Sequence, residues 1–110
     1  MPTAAEYRDA ARRYRITGEH LLREAAEIAR WAIGFVAAGP VHDTIDESLR
    51  RTRGALVAAG DELTRIAAVC DARAEVCAEF ARSVERYRHL TPVEQLLRRP
   101  PTRPARWVEL

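Results

Sequence analysis

The side chains that could perform chemistry are few, and the two cysteines are the most reactive of them. Cys70 and Cys77 stand seven residues apart within one predicted helix. At 1.5 Å rise per residue their Cα atoms would lie about 10.5 Å apart, which is too far for a mutual disulfide. The spacing therefore favours two small thiols in a helical core, with an interchain bridge across a symmetric dimer as the alternative.

The histidines do not form a recognisable metal or catalytic constellation. His20, His42 and His89 are spread along the chain, and no Cys or His pair has the spacing of a zinc site. His20 and Glu24 lie at i and i+4, which is typical of a surface pair on a helix. No Glu-x-x-His, Ser/His/Asp arrangement or glycine-rich phosphate loop occurs. We therefore predict a protein that is not an enzyme and has no catalytic residue, metal site or cofactor.

The strongest pattern in the chain is a heptad repeat, which indicates long helices packed lengthwise. In the second half, two seven-step series run side by side: Leu49, Leu56, Leu63, Cys70, Cys77, Val84 and Ile45, Thr52, Ala59, Ile66, Arg73, Phe80, Tyr87. In the first third, two further series do the same: Tyr7, Tyr14, Leu21, Ile28, Phe35 and Ala4, Ala11, Gly18, Ala25, Ala32. The sequence thus predicts an all-α fold built on a long antiparallel, coiled-coil-like helical hairpin.

Capping signals set the predicted boundaries of the two long helices. Thr3 and Glu6 form a capping box at the start of the first, and Gly39-Pro40 ends it. A second box, Thr44 with Glu47, opens the next. We expect helices over about 4–37 and 44–89, which together make a hairpin domain over residues 1–90. Gly18 is either a kink or, as we favour, a small residue that lets the other helix approach closely.

The last twenty residues are predicted to form a separate short segment. Thr91-Pro92-Val93-Glu94 is a third capping box with proline at the first helical position. The helix it opens should end near Arg99, because Pro100 and Pro101 follow. Residues 91–110 are thus expected to be a short helix and an extended, Pro/Arg-rich tail.

The apolar surface of this hairpin is wider than one partner helix can cover. With the turn near Gly39-Pro40, the numbers of facing residues sum to about 79, and the second helix overshoots the first by roughly three turns. We expect the hairpin to pair with another into a four-helix bundle; the alternative is that the tail, with Leu90, Leu96, Leu97 and Trp107, covers the overhang. The candidate partner-binding residues are Leu22, Trp31, Val69, Val76, Phe80, Val84, Tyr87 and Trp107.

Charge gives little information about partners. All 18 basic residues are arginine, the net charge is +2, and residues 88–110 carry five arginines against two acids. This tail does not by itself specify a nucleic-acid or membrane partner. The clusters at 12–15 and 50–53 do not merge into one patch in the hairpin register, so we do not expect nucleic-acid binding, and no small-molecule substrate is indicated.

No secretory signal or membrane-spanning stretch is visible, and membrane insertion is not expected. The first residues are charged and lack an apolar region. The longest apolar stretch, residues 31–41, contains Gly34, Gly39 and Pro40 and is too short to span a bilayer. We expect a chain made in the cytoplasm, with export possible only by a specialised route.

Over residues 4–89 the chain resembles the WXG (Esx-type) family of small type VII secretion proteins of actinobacteria and firmicutes. The resemblance is carried by Trp31-Ala32-Ile33-Gly34, by Gly39-Pro40 and by the heptads that follow. The family has Trp-x-Gly where this chain has Trp-x-x-Gly, and its Tyr-x-x-x-Asp/Glu export signal is missing, since Thr91 stands four beyond Tyr87.

What the resemblance implies is a non-enzymatic interaction module. It would be the small partner, chaperone-like subunit or substrate of a type VII secretion system, paired with another helical protein. A heterodimer is favoured and a homodimer is the other possibility. The alternative functions are a self-associating structural bundle and, with less support, a small nucleic-acid-binding regulator.

Overall fold

The computed structural model describes residues 2–34 and 40–104, and in these ranges every regular element is a helix. The elements are α1 (Ala4–Gly34), α2 (Pro40–Arg88) and α3 (Pro92–Leu97). The two long helices pack together, so the predicted all-α helical hairpin with a short third helix is confirmed. The predicted end of the first helix near residue 37 lies outside the described residues.

The start of α1 follows the predicted capping box. The hydroxyl of Thr3 accepts a hydrogen bond from the Glu6 amide at 3.2 Å, and the Glu6 carboxylate accepts one from the Thr3 amide at 3.1 Å. These two bonds satisfy amides that an uncapped helix end would leave without partners. The local sequence therefore determines where α1 begins.

The start of α2 differs from the prediction. The helix begins at Pro40, four residues before the expected start at Thr44. Proline suits the first helical position because its fixed φ is helical and its missing N–H would have no intrahelical partner there. The Thr44/Glu47 pair consequently lies inside the helix, and Glu47 accepts a hydrogen bond from Arg51 at 2.6 Å.

The third capping box forms as predicted, and α3 is short. The Thr91 hydroxyl accepts a hydrogen bond from the Glu94 amide at 3.3 Å. α3 ends at Leu97, two residues before the expected end, and Arg98 is extended with φ −117° and ψ 147°. The prolines that follow cannot continue a helix, and residues 99–104 have no regular secondary structure.

The chain divides into two compact units, and the central unit comprises Arg12–Ala67. Gly18 of α1 and Gly60 of α2 meet in it. A Cβ added to either glycine would lie 3.0 Å from the backbone oxygen of the other. The numbers of this pair sum to 78, close to the predicted register. Gly18 is therefore the close-approach residue that we favoured, and α1 continues through it without interruption.

The terminal unit comprises Met1–Ala11 and Ala68–Leu110. The Cys77 thiol lies 3.9 Å from the backbone oxygen of Pro2, and a guanidinium nitrogen of Arg8 lies 3.5 Å from the carboxylate of Glu75. The Pro2/Cys77 contact again has the predicted register sum of 79. Within this unit, too, the start of α1 packs antiparallel to α2.

One of the predicted heptad series on α2 is displaced by one residue. The series Leu49 to Val84 faces inward as expected, but the most buried neighbours are Gly60, Ala67 and Ala74. The predicted Thr52 and Ala59 are exposed. Heptad spacing alone does not distinguish two adjacent series on one helix. Small residues allow the two backbones to come close, so the line of closest contact follows the small side chains.

Candidate partner-binding surface

The core of the described chain contains only small side chains. The buried apolar residues are Ala11, Ala25, Ala67, Cys70, Ala74 and Cys77. No large side chain of the described residues is fully buried. The larger apolar residues instead flank the contact and remain partly accessible, so the described hairpin leaves much of its apolar surface facing water.

On α2 in the terminal unit, four of these flanking residues together with Arg73 form a second seam, which we define as Val69, Arg73, Val76, Phe80 and Tyr87. The spacings of four, three, four and seven residues repeat the heptad pattern. The seam runs beside the buried stripe of Cys70, Ala74 and Cys77. Val76 is 45% exposed, and the other four members are half-buried.

The other predicted partner-binding residues have different surroundings. Leu22 packs on Gly60, because a Cβ at Gly60 would lie 2.9 Å from its Cγ. It therefore contributes to the contact between the two long helices. Val84 is half-buried on the inward-facing series of α2. Trp31 is 69% exposed on α1, and Trp107 lies outside the described residues.

Tyr87 attaches α3 to the end of α2. Its hydroxyl donates a hydrogen bond to the backbone oxygen of Gln95 at 3.2 Å. The Gln95 side-chain amide donates in return to the backbone oxygens of Tyr87 at 3.1 Å and Leu90 at 3.3 Å. Tyr87 was predicted to bind a partner, and no role was predicted for Gln95. The role of Gln95 could not be read from the sequence, because an amide that bonds to backbone atoms has no characteristic spacing.

The exposure of Leu96 and Leu97 argues against the alternative in which the tail covers the overhanging end of α2. Leu96 is 87% exposed and Leu97 is 80% exposed, so neither packs against α2. Leu90 is half-buried. The reason is geometric: the bonds that fix Gln95 to the end of α2 leave the following turn of α3 facing water.

Ion pairs cover the outer surface of α2. Glu79 accepts hydrogen bonds from Arg86 and Arg82, each at 2.9 Å. These bonds, that of Arg86 first, lower the pKa of the Glu79 carboxyl below its ordinary value. In the central unit the hydrogen bond from Arg65 lowers the pKa of Glu62 in the same way. Such solvated pairs within one helix add little stability, and they keep these positions polar.

The two cysteines and His20 are placed as the sequence predicted. Cys70 and Cys77 are both free and buried, which is the expected arrangement of core thiols. His20 Nε2 lies 3.9 Å from a carboxylate oxygen of Glu24 on an exposed face, as a surface pair. Among the described residues, no group of three or more His, Cys, Asp or Glu could hold a metal ion.

Comparisons with protein families, characterised proteins and solved structures found no match to this chain. Within the described residues, none of the helices combines the length and the apolar character needed to cross a bilayer.

Proposed function

We propose that this chain is a non-enzymatic helical interaction module whose second seam binds a helix of another protein. The observation that supports the proposal is the composition of the core. Among the described residues, only alanine, cysteine and glycine are buried between the two long helices, while Val76, Phe80 and their neighbours on the seam stay accessible. A second helical layer would remove these larger side chains from water.

The spacing of the seam supports a helix as its occupant. Apolar residues at alternating steps of three and four form a stripe that another helix can follow over several turns. Full burial of a Phe or Val side chain contributes about 1.5–3 kcal/mol relative to full exposure, so covering the remaining half of each such residue contributes about 1 kcal/mol. Association itself costs free energy, so a stable complex also requires contacts beyond the seam. If the partner supplies a hairpin of its own, the product is a four-helix bundle.

The finer proposal, that the partner belongs to a type VII secretion system, is based on the WXG-like resemblance of residues 4–89. In this hypothesis the chain is the small partner, chaperone-like subunit or substrate in a heterodimer. It predicts that the gene lies beside one for another small helical protein and one for a membrane ATPase. It further predicts that co-expression with that helical protein yields a 1:1 complex.

The test is the solution mass of the purified chain, alone and with the neighbouring helical protein, by light scattering after size exclusion. We expect a 1:1 heterodimer. Val76→Asp should weaken it at least tenfold, because an unpaired charge would be buried in the interface. Ala72→Asp, on the exposed outer face of the same helix, is the matched control and should bind like the wild type.

Two outcomes would refute the proposal. A stable homodimer that does not bind the helical protein encoded by the neighbouring gene would support the self-associating bundle. A heterodimer equally sensitive to Val76→Asp and Ala72→Asp would show that the contact lies elsewhere. Circular dichroism of both variants distinguishes a lost interface from a lost fold; Val76 is 45% exposed, so its substitution should leave the helix content unchanged.

A further inference from the structure

The C-terminal part of the terminal unit exposes a compact apolar ridge. Val93, Leu96 and Leu97 of α3 are 66%, 87% and 80% exposed. Their i, i+3, i+4 spacing places all three on one face of the helix. This ridge, as we call the three residues, is held in place because Gln95 is hydrogen-bonded to Tyr87 at the end of α2.

Four exposed arginines surround the ridge in sequence: Arg88, Arg98, Arg99 and Arg103. Within the described part of the chain, none of their guanidinium groups has a hydrogen bond or ion pair. The arginines on the preceding turns of α2 differ, since Arg82 and Arg86 are both bonded to Glu79. The one acid in residues 88–104 is Glu94, whose carboxylate accepts a hydrogen bond from the Thr91 hydroxyl at 3.0 Å.

We propose that this surface, the ridge with its four arginines, adsorbs to the anionic face of a phospholipid membrane. Exposed aliphatic side chains can enter the boundary between headgroups and acyl chains, while arginines beside them bind lipid phosphates. This is peripheral binding in the plane of the interface, and it requires no membrane-spanning helix. The sequence alone gave only a mildly basic tail; the exposure of the leucines and the unpaired state of the arginines come from the structure.

The form of the ridge favours a membrane over a macromolecule with a fixed shape. A protein groove must match the side chains that it receives, whereas a fluid bilayer accepts a protruding ridge of any outline. Single-stranded nucleic acids are bound by aromatic stacking platforms, and the ridge is aliphatic. The proposal concerns α3 and the residues beside it, and it shares only Tyr87 with the second seam on α2.

The experiment is co-sedimentation of the full chain with vesicles of phosphatidylcholine containing increasing fractions of phosphatidylglycerol. We expect binding that rises steeply with phosphatidylglycerol, weakens with salt and is negligible on pure phosphatidylcholine. Arg98→Gln with Arg99→Gln should lower the partition coefficient about 25-fold, at roughly fivefold per arginine. Leu96→Ser with Leu97→Ser should lower it about tenfold or more.

Matched controls lie in the central unit. Arg23→Gln with Arg53→Gln removes the same charge from exposed arginines, and Ile16→Ser removes a side chain that is 57% exposed. Both should change the partition coefficient less than twofold. The proposal is overturned if the wild-type chain does not bind anionic vesicles, or if Leu96→Ser with Leu97→Ser binds like the wild type. It is also overturned if the control with Arg23→Gln and Arg53→Gln loses as much binding as Arg98→Gln with Arg99→Gln.

Discussion

The contact between Gly18 and Gly60 gives the sharpest test of the structure. Alanine at either position gains about 1 kcal/mol in helix propensity. At Gly60, however, the new Cβ would lie 2.9 Å from Leu22 Cγ and 3.0 Å from the Gly18 oxygen; at Gly18 it would lie 3.0 Å from the Gly60 oxygen. A backbone oxygen cannot move aside unless the helices separate, and such overpacking costs about 1–3 kcal/mol. We therefore expect each variant to be destabilised by up to about 2 kcal/mol.

Gly54 supplies the matched control, since a Cβ there would meet nothing within 4 Å. Gly54→Ala should show the propensity gain alone and raise the melting temperature by about 4 °C, taking about 1 kcal/mol per 4 °C for a domain near 100 residues. Thermal and urea unfolding followed by circular dichroism measure all three variants. If Gly18→Ala and Gly60→Ala stabilise the chain as much as Gly54→Ala does, the close helix contact does not exist.

The double variant of Gly18 and Gly60 adds a further check on the same contact. Once one alanine has pushed the helices apart, the second alanine should lower the free energy of unfolding by less. The destabilisation of the double variant should therefore be smaller than the sum of the two single destabilisations. Strict additivity would show that the two glycines do not share a contact.

Three further predictions concern single side chains. The carboxyl pKa of Glu79, followed by carbon NMR, should lie below its ordinary value of 4.5 and rise in Arg86→Gln. Because the pKa in the folded state is lowered, the stabilisation is present above the unfolded-state pKa and is lost as pH falls through the folded-state pKa. An unchanged Glu79 pKa in Arg86→Gln would contradict the hydrogen bond assigned to Arg86. Thr3→Ala should cost about 1 kcal/mol in urea unfolding and speed amide exchange in the first turn of α1, whereas unaltered exchange would show that the cap is not formed. The buried thiols of Cys70 and Cys77 should react slowly with Ellman's reagent in the folded chain and rapidly in urea, and fast native labelling would show that they are accessible.

Local features were predictable from the sequence because they depend on neighbours a few residues away. The capping boxes at Thr3 and Thr91 form as expected, since a hydroxyl and a carboxylate three residues apart meet at any helix start. The predicted capping box at Thr44 does not mark the start of α2, and the reason is also local. Pro40 offers an earlier helix start, and the competition between two acceptable starts is decided by energies too small to read from the pattern.

For the candidate surface, the heptads predicted correctly that α2 has more apolar residues than its contact with α1 uses. The heptads could not determine which of these residues face α1 and which remain accessible to water. Leu22 was assigned to a partner and packs on Gly60, while the hydrogen bonds from Gln95 to the end of α2 had no signal in the sequence. Such assignments depend on the rotation of each helix about its axis, which a heptad pattern leaves undetermined by about one residue.

The sequence by itself determined the helical class, the antiparallel register and the burial of both cysteines, because periodicity, a short turn and capping act along the chain. Tertiary structure decided which stripe is innermost and which side chains remain in water. Gly18 and Gly60 allow the two backbones to approach so closely that a Cβ added to either would lie 3.0 Å from the backbone oxygen of the other. The small residues then occupy the core, and the larger apolar side chains, Val76 and Phe80 among them, are left at its margins. That outcome depends on how closely two surfaces can fit, which is a property of the packed pair of helices and not of either segment alone.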